Sequence, residues 1–235
     1  MKVVLAIFLF LSSLFTTPEA VKIKGIILPH HDLVTELFHT SLAKVKENQT
    51  LSTIVIYGTN HYFPDESTFT TTKQVQDKYG LEDVLVDDLR INKEHSIQTL
   101  TPYLKEYFPS ANVIPIIVSS KYEMHKLTSM SKSLIDMLPK DTLYIASVDF
   151  SHNSTVESGL AKNTESIEAI STFDYQRVLD YFDDHLDSPV AIATFMKTME
   201  NLNAKTWETW TSSHGGLITN TPTLNGTSYV VGVFK

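Results

Sequence analysis

The chain is 235 residues long, enough for one domain with a sizeable core, and nothing in that length demands a second. Hydrophobic residues at 42% and charged residues at 20% form an ordinary globular balance, which excludes intrinsic disorder. A formal net charge of −8 and a pI near 5.5 leave no basic surplus to neutralise nucleic-acid phosphates, and the same charge is repelled by anionic membranes.

Residues 1–20 have the layout of a secretory signal peptide: the basic start Met1-Lys2, an almost wholly apolar run over 3–15, and a polar stretch ending in Ala20. The apolar run is about 13 residues, short of the roughly 20 that span a bilayer. We therefore expect export to the periplasm or the extracellular space, a mature domain over 21–235, and no stable membrane association after cleavage; an uncleaved anchor is the alternative. Loss of residues 1–20 removes one Lys and one Glu, so the charge stays at −8. Cysteine is absent, which excludes a disulfide framework, a zinc–cysteine site and a thiol nucleophile. Sequons for N-glycosylation stand at Asn48, Asn153 and Asn225, their use depending on the host.

In the mature chain, residues 22–28 read as a strand that Pro29 ends. A helix follows over 33–48, with Leu33, Leu37, Leu42 and Val45 as core positions. The run Thr53-Ile54-Val55-Ile56 marks a second buried strand over 52–57. Residues 60–80, rich in Thr, Asp and aromatics, suggest a loop with a short strand in it. One helix is expected from Asn92 or Lys93 to Phe108. A third strand over 112–119 contains Pro115, which suggests an edge or a bulge. A helix over 122–138, a strand over 142–148 and helices near 164–170, 173–183 and 189–201 come next. Ser188 is placed to cap the last of these, with Pro189 at its first position. Residues 205–211 and 226–234 alternate like strands. Strand and helix in repeated succession specify a single three-layer α/β domain: a central mixed, mostly parallel sheet with helices on both faces.

Three histidines stand just past the C-terminal ends of expected strands: His30, with His31 beside it, His61 after Asn60, and His152 in Asp149-Phe150-Ser151-His152. That edge of an open α/β sheet is where ligands bind. Imidazole is the commonest ligand of divalent transition metals, and two with an oxygen donor suit non-haem iron, zinc or copper. Asp149 and Ser151 can equally cap the next helix. His39, His95 and His125 fall within expected helices and read as structural or exposed. No nucleophile elbow, phosphate-binding loop, dinucleotide fingerprint or zinc-protease helix motif is present.

Five segments in order resemble the Memo family, also called AmmeMemoRadiSam system protein B. They are Gly25-Ile26-Ile27-Leu28-Pro29-His30, Ile56-Tyr57-Gly58-Thr59-Asn60-His61, Glu94-His95-Ser96-Ile97-Gln98 with the strand after it, Ser147-Val148-Asp149-Phe150-Ser151-His152, and Asn225-Gly226-Thr227-Ser228-Tyr229-Val230. The resemblance implies a fold related to the class III extradiol dioxygenases, which open catechol rings with non-haem iron. It implies His30 and His61 as metal ligands, Asp149 and His152 as pocket residues with His152 the acid/base group, and a supporting place for His95. The family often has a cysteine before a Pro that opens a late helix. Here that Pro is Pro189, and His185 or Asp187 would take the third ligand position. A carboxylate there completes the facial triad of iron oxygenases, whereas three histidines suit zinc or copper equally. The family's association with radical-SAM proteins implies a modification pathway as a partner context.

Two functions follow as expectations. The first is an iron-dependent, dioxygenase-like oxidoreductase acting on a small, unidentified substrate. The second is a non-catalytic metal- or ligand-binding protein that keeps the pocket. A hydrolase using zinc-bound water ranks third.

Overall fold

A computed structural model of the protein describes residues 22–63 and 67–235; the expected signal segment, residues 1–20, lies outside them. In chain order the elements are β1 (Gly25–Leu28), α1 (Thr35–Asn48), β2 (Thr53–Thr59), β3 (Phe69–Thr71), α2 (Lys73–Tyr79), β4 (Val84–Val86), α3 (Asp88–Lys93), α4 (His95–Gln98) and α5 (Thr101–Tyr107). They continue with β5 (Asn112–Val118), α6 (Met124–Met137), β6 (Leu143–Ser147), α7 (Val156–Ser171), α8 (Tyr175–Leu179), α9 (Pro189–Asn201), β7 (Trp207–His214), α10 (Gly215–Ile218) and β8 (Ser228–Phe234).

The strands form one sheet in the order β4-β3-β5-β2-β6-β1-β8-β7. Its centre, β5-β2-β6-β1, is parallel. The antiparallel pairs β3/β5, β1/β8 and β8/β7 extend it on either side. Every residue of β1, β2 and β6 is buried, because helices cover both faces and alternate side chains enter different cores. Ile27, Val55 and Tyr57 pack with Met130 and Leu134 of α6 and Phe195, Met196 and Met199 of α9. Ile26, Leu28, Ile54 and Ile56 pack on the other face with Phe38, Leu42 and Val45 of α1 and with Ile97 and Leu104. This is the three-layer α/β domain expected from the sequence.

Several local features depart from that reading, beginning with the loop expected over 60–80, which carries helix α2 as well as strand β3. The helix expected across 92–108 is cut into three: Glu94 takes an extended conformation (ψ 112°), closing α3 and capping α4 by accepting from the Ser96 N–H. Pro115 lies in an interior strand rather than at an edge. Its carbonyl accepts from Thr71 Oγ1 and so faces β3, and β3 ends at Thr71 opposite Ile116, where Pro115 has no N–H to offer. The helix read near 164–170 begins earlier, at Val156, with Thr155 as its cap accepting from Ser158 N. Thr155 thereby frees Asp149 and Ser151 from that role.

Gly58 of β2 lets α4 approach closely. A Cβ there would stand 2.5 Å from Ser96 Oγ and 2.8 Å from Ile97 Cδ1. Ser96 Oγ cannot yield freely, since it donates to Thr59 O at 2.8 Å. Gly58→Ala should therefore destabilise the fold by about 1–3 kcal/mol through overpacking. Chemical denaturation should show this as a lower midpoint with an unchanged slope.

Candidate metal centre

The sheet order explains how distant histidines meet. β6 lies between β1 and β2, so His30, two residues beyond β1, and His61, two residues beyond β2, flank the end of β6 from opposite sides. The third imidazole comes from α4, which Gly58 holds against β2. Each of His30, His61 and His95 offers one ring nitrogen, and these atoms lie within 4.8 Å of one another. His61 and His95 stack with ring centroids 3.9 Å apart, and His30 meets both edge-on at 5.1 Å. Such a group can hold a metal ion.

Hydrogen bonding fixes which nitrogens are offered. Ser147 Oγ donates to Ser96 O at 2.5 Å, so toward His30 Nδ1, 3.3 Å away, it can only accept. His30 therefore carries its proton on Nδ1 and turns Nε2 inward. His61 Nδ1 lies 2.6 Å from Glu94 Oε1, an acceptor, which places its proton on Nδ1 and leaves Nε2 for the cluster. Carboxylate behind imidazole is the arrangement that orients metal-binding histidines and raises their basicity.

Asp187 closes the site. Its Oδ2 stands 3.1 Å from His30 Nε2 and 3.6 Å from His61 Nε2, its side chain is 3% exposed, and Oδ1 accepts from Thr59 Oγ1. The ring directions miss Oδ2, which has no hydrogen-bond partner. A buried oxygen left in this way costs roughly 1–3 kcal/mol, and more when charged. A cation among the ring nitrogens and Oδ2 would satisfy it, so the donor set fits a divalent metal.

The electrostatics agree. Burial opposes charge on His61, but the neighbouring carboxylates of Asp187 and Glu94 outweigh it and raise its pKa to about 9. Burial likewise opposes charge on His30, and Asp187 and Asp149 raise it nonetheless. Burial would push Asp187 up, yet His30 and His61 hold it well below the usual carboxylate range. His95 is lowered to about 4, by burial and then by charge on His61 and His30. The site thus collects protons where a cation would sit.

The other expected residues divide into neighbours and outsiders. Asp149 is buried beside the cluster: Oδ1 accepts from His30 N at 3.0 Å, and burial raises its pKa. The backbone N–H of Asp187 donates to Asp149 O, and an isolated bridge joins Phe150 to Leu186, so these residues deliver the carboxylate. His152 is half-buried, with Nδ1 2.5 Å from Asp183 Oδ1. Asn60 makes two hydrogen bonds to the backbone of Phe63 and so shapes the loop after β2. His31 points away to cap the following turn, Nδ1 accepting from Leu33 N at 3.2 Å.

Of the two residues read from the sequence for the third ligand position, His185 lies elsewhere. Its ring stacks on Tyr181 at 4.3 Å, with Nε2 3.3 Å from Glu165 and Nδ1 3.1 Å from Asp184. Phe182 O accepts from both His185 N and Leu186 N, so this stretch is a turn, and His185 does not share a face with Asp187. Asp187, the other, stands beside His30 and His61.

Glu94 is the functional residue that strand-end reasoning misses. It is 1% exposed and holds both the ring and the backbone N–H of His61. Its signal was a buried-type acid directly before a histidine in a helical segment, indistinguishable in sequence from a helix-capping glutamate, which it also is.

The site and sheet define a mixed α/β protein with a histidine cluster that could hold a metal ion, and a buried carboxylate beside it, at the C-terminal edge of its parallel strands. The model of the family described as Memo-like protein matches residues 72–230, and the chain belongs to that family. His30 and His61 precede the matched stretch and join it through the fold. A MEMO1 family protein of Aquifex aeolicus is 31% identical over 160 residues, covering 57% of this chain and 41% of that protein. One from Caldivirga maquilingensis is 27% identical over 116 residues, covering 47% and 40%. The chain thus spans about two fifths of the length of the curated relatives it matches. An uncharacterized protein of Escherichia coli, known from its crystal structure, shares the fold with a TM-score of 0.59 at 14% identity, covering 90% of this chain and all of that one.

Two measurements test the centre. Glu94→Gln should keep the shape but weaken divalent-metal binding about 10–100-fold, read by calorimetric titration. A metal ion binds only neutral imidazole, and metal-free His61 is protonated below about pH 9. Binding should therefore expel at least one proton, and apparent affinity should rise with pH and level off above about 9. Titrations in buffers of different ionisation enthalpy would count the protons.

Proposed function

We propose that this chain is a non-haem-iron oxidoreductase of dioxygenase type that acts outside the cytoplasm on a small phenolic or other reducing substrate. The unsatisfied Asp187 Oδ2 carries the reading. With His30 and His61 it composes two imidazoles and one carboxylate, the donor set of iron oxygenases, in a chain that has no cysteine to offer a softer ligand. His95 is the remaining nitrogen donor, and copper or zinc are the competing ions. Bound there, iron would supply Lewis acidity and one-electron redox chemistry toward O₂.

The protein's own groups supply the rest. Glu94 and Ser147 hold the Nδ1 protons of His61 and His30, so Nε2 is the nitrogen each ring turns inward and would give up its proton to a metal. Asp149 fixes the backbone at His30. His152, oriented by Asp183 at Nδ1, presents Nε2 to accept a proton from a substrate hydroxyl and return it later. Family membership supports the resemblance to extradiol enzymes but does not by itself define the reaction.

Iron-loaded protein offered catechol should consume oxygen, and His152→Ala should slow this by about 10²–10⁴-fold while retaining iron. Asp187→Ala should lose iron itself. Stoichiometric iron with no oxygen uptake would instead leave a metal-binding protein without turnover. Export, inferred from the layout of residues 1–20, predicts that the mature protein from its native compartment begins near residue 21 on N-terminal sequencing.

A further inference from the structure

We propose that the groove between α2, the α3–α5 segment and β5 is a binding site for a small organic anion with an apolar body. It is separate from the metal centre and independent of the function proposed for it. The groove exists because β3 stops at Thr71. The chain turns away into α2, leaving Val113 and Pro115 of β5 partly uncovered as a floor, with Ile97 of α4 beside them. Its volume is about 290 Å³, close to the lower end of small-molecule sites and more than an inorganic ion fills.

Its charge is unlike that of the molecule. The chain has 27 acidic residues against 19 Lys and Arg, yet among the described residues lining the groove none carries a carboxylate, while Lys78 and Lys105 both do line it. Lys78 lies over the ring of Tyr79 at 5.0 Å, and among the described residues neither lysine forms an ion pair. The Tyr79 hydroxyl accepts from Asn112 Nδ2, so its own proton is available to a ligand. Apolar floor, two cations and a hydroxyl donor together select an amphiphilic anion: the ring or chain lies on Val113, Pro115 and Ile97, and the carboxylate, sulfonate or phosphate meets the lysines.

The probe is 8-anilinonaphthalene-1-sulfonate, with the uncharged parent N-phenyl-1-naphthylamine as its control, titrated by fluorescence into the full chain. Wild-type protein should bind the sulfonate saturably at one site. The double variant Lys78→Ala/Lys105→Ala should bind it at least tenfold more weakly, with binding of the uncharged parent unchanged. Lys132→Ala/Lys140→Ala removes the same charge from exposed positions elsewhere and should bind as wild type. Thermal melts of both variants, whose lysines are all exposed, check that the fold is retained. Absence of saturable binding, an unaltered affinity in the groove variant, or an equal loss in both variants would overturn the proposal.

Discussion

Much of this molecule is organised around one buried carboxylate. Asp187 lies beside the imidazoles of His30 and His61 with its side chain almost wholly withdrawn from solvent. An uncompensated charge in such a place costs several kcal/mol, so the surroundings must answer it. They do so with protonated rings or with a cation, and both need the same placement of His30 and His61. That placement requires β1 and β2 to end within one residue of the same height on either side of β6, Leu28 and Gly58 both lying level with Ser147. It also requires Ser188 to start α9 where it does, its hydroxyl accepting from Ala191 N, so that the preceding residue is presented at the strand ends.

The sheet was legible because its central strands are nearly unbroken runs of Val, Ile and Leu, which only a sheet covered on both faces demands. The histidines at His30 and His61 were legible for a related reason: a polar residue directly after such a run must lie at the strand end. Less legible were features decided by what faces a residue across the fold. Pro115 reads as an edge signal, and it does face an edge, but only the local one where β3 stops. The choice between His185 and Asp187 turned on whether residues 182–186 run extended or turn, a matter of two backbone hydrogen bonds to Phe182 that no side-chain pattern records.

The break at Glu94 shows the same limit from the other side. Helical periodicity continues across 92–108, and a continuous helix satisfies it. The structure instead gives up helical hydrogen bonding at Glu94, and its side chain then serves two hosts: the first turn of α4 and the ring of His61. His95 follows as the first residue of α4, at the end that packs on β2. A local disruption of helix thereby becomes the means of bringing one ligand and one orienting carboxylate to the site together. Capping residues elsewhere work more simply: His31 caps a turn, and Thr155 caps α7.

The tether of Asp187 has a kinetic side. The segment carrying it is joined to the strand-end loop by the backbone hydrogen bonds from Asp187 N to Asp149 O and from His152 N to Asp183 O, together with the small Phe150–Leu186 bridge. His30 and His61 directly follow β1 and β2, strands of the sheet centre whose opening approaches global unfolding. Asp187 is thus anchored by a loop, and His30 and His61 by the ends of the sheet. Local opening of that loop would displace the carboxylate while leaving the two histidines where they stand, so the two kinds of donor are held with different stability.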